Sequence, residues 1–375
     1  MKRAMRAALA IFLLTGLVGS CGDLDATETP LDVSTCQDNW SVLLQASSNV
    51  WDIEPSLNGS GLSWSNGRLY FRYWDAAATS PGAIANLSTS SSLRSYSNVA
   101  NIDPSYWWIE NDQLTYVDGN YQLYGVPLAG DAEATQLVDI EQDTAAPSFI
   151  NFALDANSVY WVSLEEATKT WSVWRASRAS GERQQLMVKP LLNAATSEGS
   201  TLTLTQDAVM VSDGVSATLG GTLYVVPKTG GDARALPYPS SAWLLATGSD
   251  GTALWLESLS GGKSYRVWRS TMDGAAPMPF WTDKPPALFL THAWSDGKGG
   301  WYLAAREFTN ATMDFDSQHT SLWSLDGSGH GARLACTPLP GTTSELATAL
   351  SPTTLFLLDR DGSSSPTKSI VSITR

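Results

Sequence analysis

From about residue 60 onward the chain repeats one rhythm of apolar and polar positions. An apolar residue is followed by roughly four turn-forming residues, then by a second apolar residue that commonly precedes an aromatic. Trp64-SNGR-Leu69-Tyr70-Phe71, Ile109-ENDQ-Leu114-Thr115-Tyr116, Leu154-DANS-Val159-Tyr160-Trp161, Leu204-TQDA-Val209 and Leu350-SPTT-Leu355-Phe356 share this spacing. Longer turns separate Leu245 from Leu254-Trp255 and Trp294 from Trp301-Tyr302. The second anchors fall at 69, 114, 159, 209, 254, 301 and 355, a period of about 48 residues. Each copy continues into a third apolar run, marked by Ile84, Leu123, Val173, Leu223, Val267, Leu322 and Ile370. A fourth short run carries Leu93, Leu137, Leu186, Leu236, Phe280 or Leu334. Asn-Gly, Asp-Gly and Gly-Gly pairs between the runs supply the positive φ that tight hairpins need. The phrase LYGVPLAGD at 123–131 returns as LYVVPKTGGD at 223–232, in the third run of two copies.

One unit therefore reads as four antiparallel strands. Such a sheet cannot bury both apolar faces alone, and stacking copies face to face in a ring does so while leaving only short edges. No segment sustains helical spacing over a dozen residues, and 30 Gly and 18 Pro oppose long helices. The expectation is an all-β, seven-bladed β-propeller of four-stranded antiparallel blades over residues 39–375. The seventh copy runs out of chain before a fourth strand. Trp40-Ser41-Val42-Leu43-Leu44 has no other partner, and is expected to close the last blade as its outer strand. Val159-Tyr160-Trp161-Val162-Ser163 and Leu69-Tyr70-Phe71 resemble blade motifs of the TolB and YWTD-type propellers, with Ser163 where the YWTD motif ends in Asp. That resemblance implies a binding scaffold more often than an enzyme, and carries no functional residue across.

The first residues change the picture of where this ring works. Lys2, Arg3 and Arg6 precede an apolar stretch, Ala7 to Val18, too short to span a bilayer. Val18-Gly19-Ser20-Cys21 then resembles the bacterial lipobox, which implies a signal peptide at 1–20 and acylation of Cys21. Residues 21–38 read as the lipidated cysteine and a polar, acidic tether. Several acyl chains hold a protein durably on a membrane. Gly22 after the cysteine resembles the pattern sorted to the outer membrane, so the expected location is lipid-anchored at the outer membrane, on the cell surface or the periplasmic face. Loss of residues 1–20 would leave 20 Lys+Arg against 37 Asp+Glu, a charge of −17 that repels nucleic acid. In an oxidising compartment the remaining pair, Cys36 and Cys336, is expected to form a disulfide that locks the ring closure.

Catalytic signatures are absent. There is no Gly-x-Ser-x-Gly elbow, no phosphate-binding loop and no His-Glu-x-x-His. Asp314, Asp316, Asp359 and Asp361 offer too few oxygens for Ca²⁺ and read as solvated turns, so no metal or cofactor is expected. With three histidines, only His292, at the start of an inner strand, has a place near a central channel. The sixteen Trp are the better lead, since sugar rings stack on indoles. Asp103, Tyr106, Trp107, Trp243, His292 and Glu345 are the candidate ligand-binding residues. The sequence thus predicts a membrane-anchored, non-catalytic binding module for an envelope protein or glycan. The alternative is a propeller-fold glycan lyase or hydrolase using channel carboxylates, Asp103 and Glu345 first.

Overall fold

The computed structural model describes residues 40–45, 51–53, 62–75, 83–87, 93–95, 106–129, 132–140, 148–165, 167–190, 201–212, 222–259, 264–282, 284, 288–308, 318–339, 347–360 and 368–374. Within them every regular element is a strand, and the strands fall into seven antiparallel sheets. Numbered by chain position, the second to sixth sheets take four consecutive strands each, the first in sequence at one edge and the fourth at the other. The seventh contains Ala347–Leu350, Thr354–Arg360 and Lys368–Thr374, and its fourth strand is Trp40–Gln45 from the other end of the chain. Trp40 lies opposite Ile373 and Gln45 opposite Ser369.

The first sheet departs from the expected four strands and has five. Trp51–Ile53 and Leu62–Ser65 share one edge of Arg68–Asp75, the former opposite Tyr73–Asp75 and the latter opposite Arg68–Phe71. Together they fill one strand position, interrupted by residues 54–61. The third and sixth sheets carry a one-residue bulge in the inner strand at the same level, at Ile150 and Thr291. The insertion stands where those bulges stand, and this is why the four-strand reading fails there. A bulge already breaks the ladder, so added residues cost few paired backbone groups.

The hairpin chemistry follows the sequence. Asn66 and Gly67 take φ of 49° and 73°, and Asn111 and Asp112 take 49° and 57°, the left-handed pair that a two-residue hairpin with native twist requires. Gly329 is needed for a second reason. A Cβ there would lie 1.8 Å from the Phe280 carbonyl oxygen, where the sixth sheet's outer hairpin meets the fifth sheet. The repeated phrase has a structural role. Pro127 and Pro227 end third strands, and the next N–H reaches back to the inner hairpin of its own sheet. Leu128 N donates to Asp112 O, and Lys228 N to Asp207 O, both at 2.9 Å.

Alternation along each strand sends side chains to both neighbouring sheets. Tyr70 packs with Trp107, Leu114 and Leu128 between the first and second sheets. Val117 and Leu123 meet Val159 and Trp161 between the second and third. Val162 and Val173 meet Val209 and Val226, Met210 and Val225 meet Trp255, Leu254 and Val267 meet Trp301 and Leu303, and Tyr302 and Leu322 meet Leu355 and Val371. Trp64 of the first sheet stacks on Phe356 of the seventh, with centroids 5.1 Å apart, and closes the circle. Trp107, Trp255 and Trp301 are fully buried in these seams. Truncating a tryptophan so placed costs about 3–5 kcal/mol.

Candidate functional site

The ring has two rims. At one, the inner hairpins join first to second strands, and here the acids hold the fold. Asp155 accepts the backbone N–H groups of Asn157 and Ser158 on Oδ1, and the Tyr160 hydroxyl and Lys228 ammonium on Oδ2. Burial pushes its pKa up, but the hydrogen bond from Lys228, the turn N–H and the Lys228 charge outweigh this and hold it below the usual carboxylate value. Tyr160 is pushed up to about 12 by burial and then by Asp155. Arg178 donates to Glu110 Oε2 at 2.8 Å and to the Asp155 carbonyl at 3.0 Å, tying the second sheet to the third. Asp296 accepts the N–H groups of Lys298 and Gly300 here, and at the other rim, in the turn between the second sheet's second and third strands, Asp118 accepts those of Asn120 and Gln122. These carboxylates are saturated by turn amides and neighbouring cations.

The opposite rim differs in character over the fifth and sixth sheets. Trp243 is the second residue of the inner strand Ala242–Thr247, and Phe289 the second of Leu288–Ser295. Tyr265 stands between them at the start of Ser264–Thr271, edge-on to both, with centroids 5.4 Å from Trp243 and 5.1 Å from Phe289. All three are half-buried. Arg306 is directly across from Phe289 in the ladder, and His292 across from Ala304. The Thr291 bulge shifts the register before His292, whose ring stacks parallel to Trp294 with 6.0 Å between centroids. Burial first, then the Arg306 charge, lower the His292 pKa, so its imidazole is neutral at pH 7. On this rim Glu257 is held by Ser241, Trp268 and Arg266. The two hydrogen bonds from Ser241 and Trp268 hold its carboxyl below the usual range.

Two of the six candidate residues, Trp243 and His292, are thus brought to adjoining sheets, Trp243 in the seam of the fifth and sixth and His292 on the face of the sixth toward the seventh. Two others are placed in the core. Trp107 is 1% exposed between the first and second sheets and has no ring face for a sugar; it fills the wedge instead. Tyr106 is buried edge-on against Phe152, and burial, then Tyr121, push its hydroxyl up to about 12. Asp103 and Glu345 lie outside the described residues, as do the signal segment, Cys21, the tether and Cys36. Cys336 lies in the strand Gly331–Leu339, where Cys336, Thr337 and Pro338 bulge opposite Ser321. Sequence reasoning missed Tyr265, Phe289 and Arg306. The usable signal was the matching position of Trp243 and Phe289 in consecutive copies. Among the described residues no three His, Cys, Asp or Glu side chains gather as metal ligands would, and no helix is long and apolar enough to cross a membrane.

No family model matches the chain, and no curated protein sequence matches it. Solved structures do resemble it. An oligogalacturonate lyase from Vibrio parahaemolyticus superposes with a TM-score of 0.62 at 9% identity, over 91% of this chain and 94% of that one. An oligogalacturonate lyase in complex with manganese gives 0.62 at 10% identity, over 90% and 93%. The β-propeller domain of the trilobed protease from Pyrococcus furiosus, which has an open velcro topology, gives 0.57 at 10% identity, over 86% and 95%. At such identities the likeness carries the fold and nothing finer. The chain is an all-β propeller built from four-stranded antiparallel blades.

Proposed function

We propose that the protein is a non-catalytic binding or assembly module of the bacterial envelope, held to the outer membrane by acyl chains on Cys21, with a protein or glycan as its partner. The five-stranded first sheet counts as a seventh blade with an interrupted inner strand. The observation that carries this reading is the use of the acids. Asp118, Asp155, Asp296 and Asp326 each cap their own turn, and Glu110 and Glu257 each bind an arginine. Paired glycosidase carboxylates instead face each other across roughly 5–10 Å of open site. The opposite rim, where Glu257 and Asp118 are likewise engaged, also offers aromatic surface, which suits recognition.

The second reading, a glycan lyase or hydrolase, is favoured by one observation: two of the structures that superpose over most of the chain are lyases. The two readings separate in one assay. The full chain, purified in detergent, is applied to a glycan array and used as bait in envelope extract, and the glycans it retains are analysed by mass spectrometry. The binding reading expects a retained partner of unchanged mass. Cleaved glycan that disappears with Asp103→Asn or Glu345→Gln overturns it. Loss of palmitate labelling and of membrane association in Cys21→Ser tests the anchor, and retention of both would remove it.

A further inference from the structure

Where the outer part of the fifth sheet meets the sixth, one guanidinium has more donors than acceptors. Arg269 lies in the third strand of the fifth sheet, Ser264–Thr271, directly across from Met278 in the outer strand Met278–Trp281. Its partner on the other side of the ladder, Leu254, packs in the seam with the sixth sheet, so Arg269 and Met278 take that side too. Arg269 Nη1 donates to the Gly327 carbonyl in the sixth sheet's outer hairpin at 2.7 Å, and the guanidinium lies 4.4 Å from the centre of the Phe280 ring. Among the described residues Nη2 meets the Met278 sulfur alone, at 3.9 Å, and Nε is buried with no partner. Met278 is 51% exposed, whereas Met187 and Met210 are buried and Met272 is half-buried.

A thioether sulfur is a weak acceptor, and a buried donor left without a partner costs free energy. Oxidation changes the acceptor. A peroxide delivers one oxygen to the sulfur: its O–O bond breaks, an S–O bond forms, the sulfur gives up two electrons, and the rest of the peroxide leaves as water or an alcohol. In a core the polar sulfoxide disrupts packing. At an exposed position little packing is lost, and the new oxygen stands beside a cation. A hydrogen bond to a charged donor is about twice as strong as one between neutral groups. The unbranched methionine side chain turns freely about its bonds, so the oxygen reaches Arg269 whichever face of the sulfur is attacked. Arg269 already holds the sixth sheet through Gly327, so a firmer grip on Met278 fastens the fifth sheet's outer strand to that hairpin.

We infer that Met278 is a site of oxidation by peroxides and that Arg269 captures the sulfoxide, so that oxidation tightens the seam between the fifth and sixth sheets instead of loosening it. This goes beyond the binding-module reading and does not depend on it. The test treats the full chain in detergent with increments of hydrogen peroxide, follows each methionine by peptide mass spectrometry, and measures melting at each step. Met278 gains its oxygen at least about ten times faster than Met187 or Met210, because the reaction follows exposure. Treatment raises the melting temperature of the parent by about 2 °C relative to its effect on Met278→Leu, which keeps every other methionine. In Arg269→Gln that difference vanishes while Met278 still reacts, which separates capture from mere exposure. Oxidation of Met278 no faster than of Met187 or Met210 would overturn the site. The capture is wrong if the treated parent melts no higher relative to Met278→Leu, or if the gain survives in Arg269→Gln.

Discussion

Lys228 Nζ lies 2.9 Å from Asp155 Oδ2 and 5.4 Å from the centre of the Tyr160 ring, so one ammonium fastens the fourth sheet to the third. The same position two sheets earlier is Leu128, which packs with Tyr70, the counterpart of Tyr160. Where the third sheet has Asp155 at the turn, the first has Ser65. The two copies of the repeated phrase thus differ where their neighbours differ. Leucine meets a ring whose own turn carries no acid, its hydroxyl donating across the seam to Asp112 of the second sheet, and lysine meets a ring whose own turn carries Asp155. Lys228→Leu is expected to cost about 1 kcal/mol, because Asp155 keeps its burial and loses a cation. Adding Asp155→Ser should recover part of that loss. A double-mutant cycle on urea midpoints reads a coupling of about 1 kcal/mol. Additivity within a few tenths would mean the pair fastens nothing.

The hydrophobic rhythm made the strands legible, because a half-buried strand shows its alternation directly in residue type. All seven third-run markers, from Ile84 to Ile370, sit in third strands. The split inner strand of the first sheet was not legible. Trp51–Ile53 is three residues long, and nothing local marks it as the continuation of Leu62–Ser65. The site was half legible. Trp243 and His292 stand out by type and by strand position, but the seam each one faces does not. That is set by the alternation of the strand and, for His292, by the bulge at Thr291, not by residue type. Trp107 misled for the same reason, since the face it takes depends on which way the strand alternates.

Acid should weaken the protein partly through His292. Its pKa in the folded chain lies below the ordinary 6.5, by burial first and the Arg306 charge second. Above pH 6.5 the ring is neutral in both states and costs nothing. Below it, the unfolded chain takes a proton that the folded chain refuses until its own lower pKa is reached. Stability is therefore complete above 6.5 and falls as pH drops, by up to about 1.4 kcal/mol per pH unit from this one group. Urea midpoints at pH 7.5, 6.5 and 5.5 should decline in the parent and decline less in His292→Gln. Parallel declines would assign the acid sensitivity to other groups, Asp155 among them at lower pH, where its stabilising charge is lost as pH falls through its depressed pKa.

The closing strand should tolerate no deletion. Trp40–Gln45 pairs along Lys368–Thr374, where Ile370, Val371 and Ile373 are fully buried. Removing residues 22–35 leaves this pairing intact and should leave the melting temperature unchanged. Removing residues 22–45 bares the ladder edge of Lys368–Thr374 and should lower the melting temperature by more than about 5 °C or cause aggregation, as unpaired edges do. Equal melting of the two truncations would show that the ring closes without its N-terminal strand.

A covalent lock at the same seam is the last expectation. Trp40 begins the outer strand of the seventh sheet, and Cys36 is four residues before it. Cys336 is in the outer strand of the sixth, the neighbour against which the seventh packs. Three residues, Cys336, Thr337 and Pro338, bulge there opposite Ser321, which frees the strand from regular alternation at the cysteine. A Cys36–Cys336 bond would join chain ends 300 residues apart in sequence and remove most of the freedom of the open ring. The loop-entropy model values such a bond at about 5 kcal/mol. A non-reduced digest should release a peptide pair containing both cysteines, and reductant should lower the melting temperature of the parent but not of Cys336→Ser. Recovery of both as free thiols from protein trapped with alkylating agent in its own compartment would leave the closure to Trp40–Gln45 and its hydrogen bonds alone.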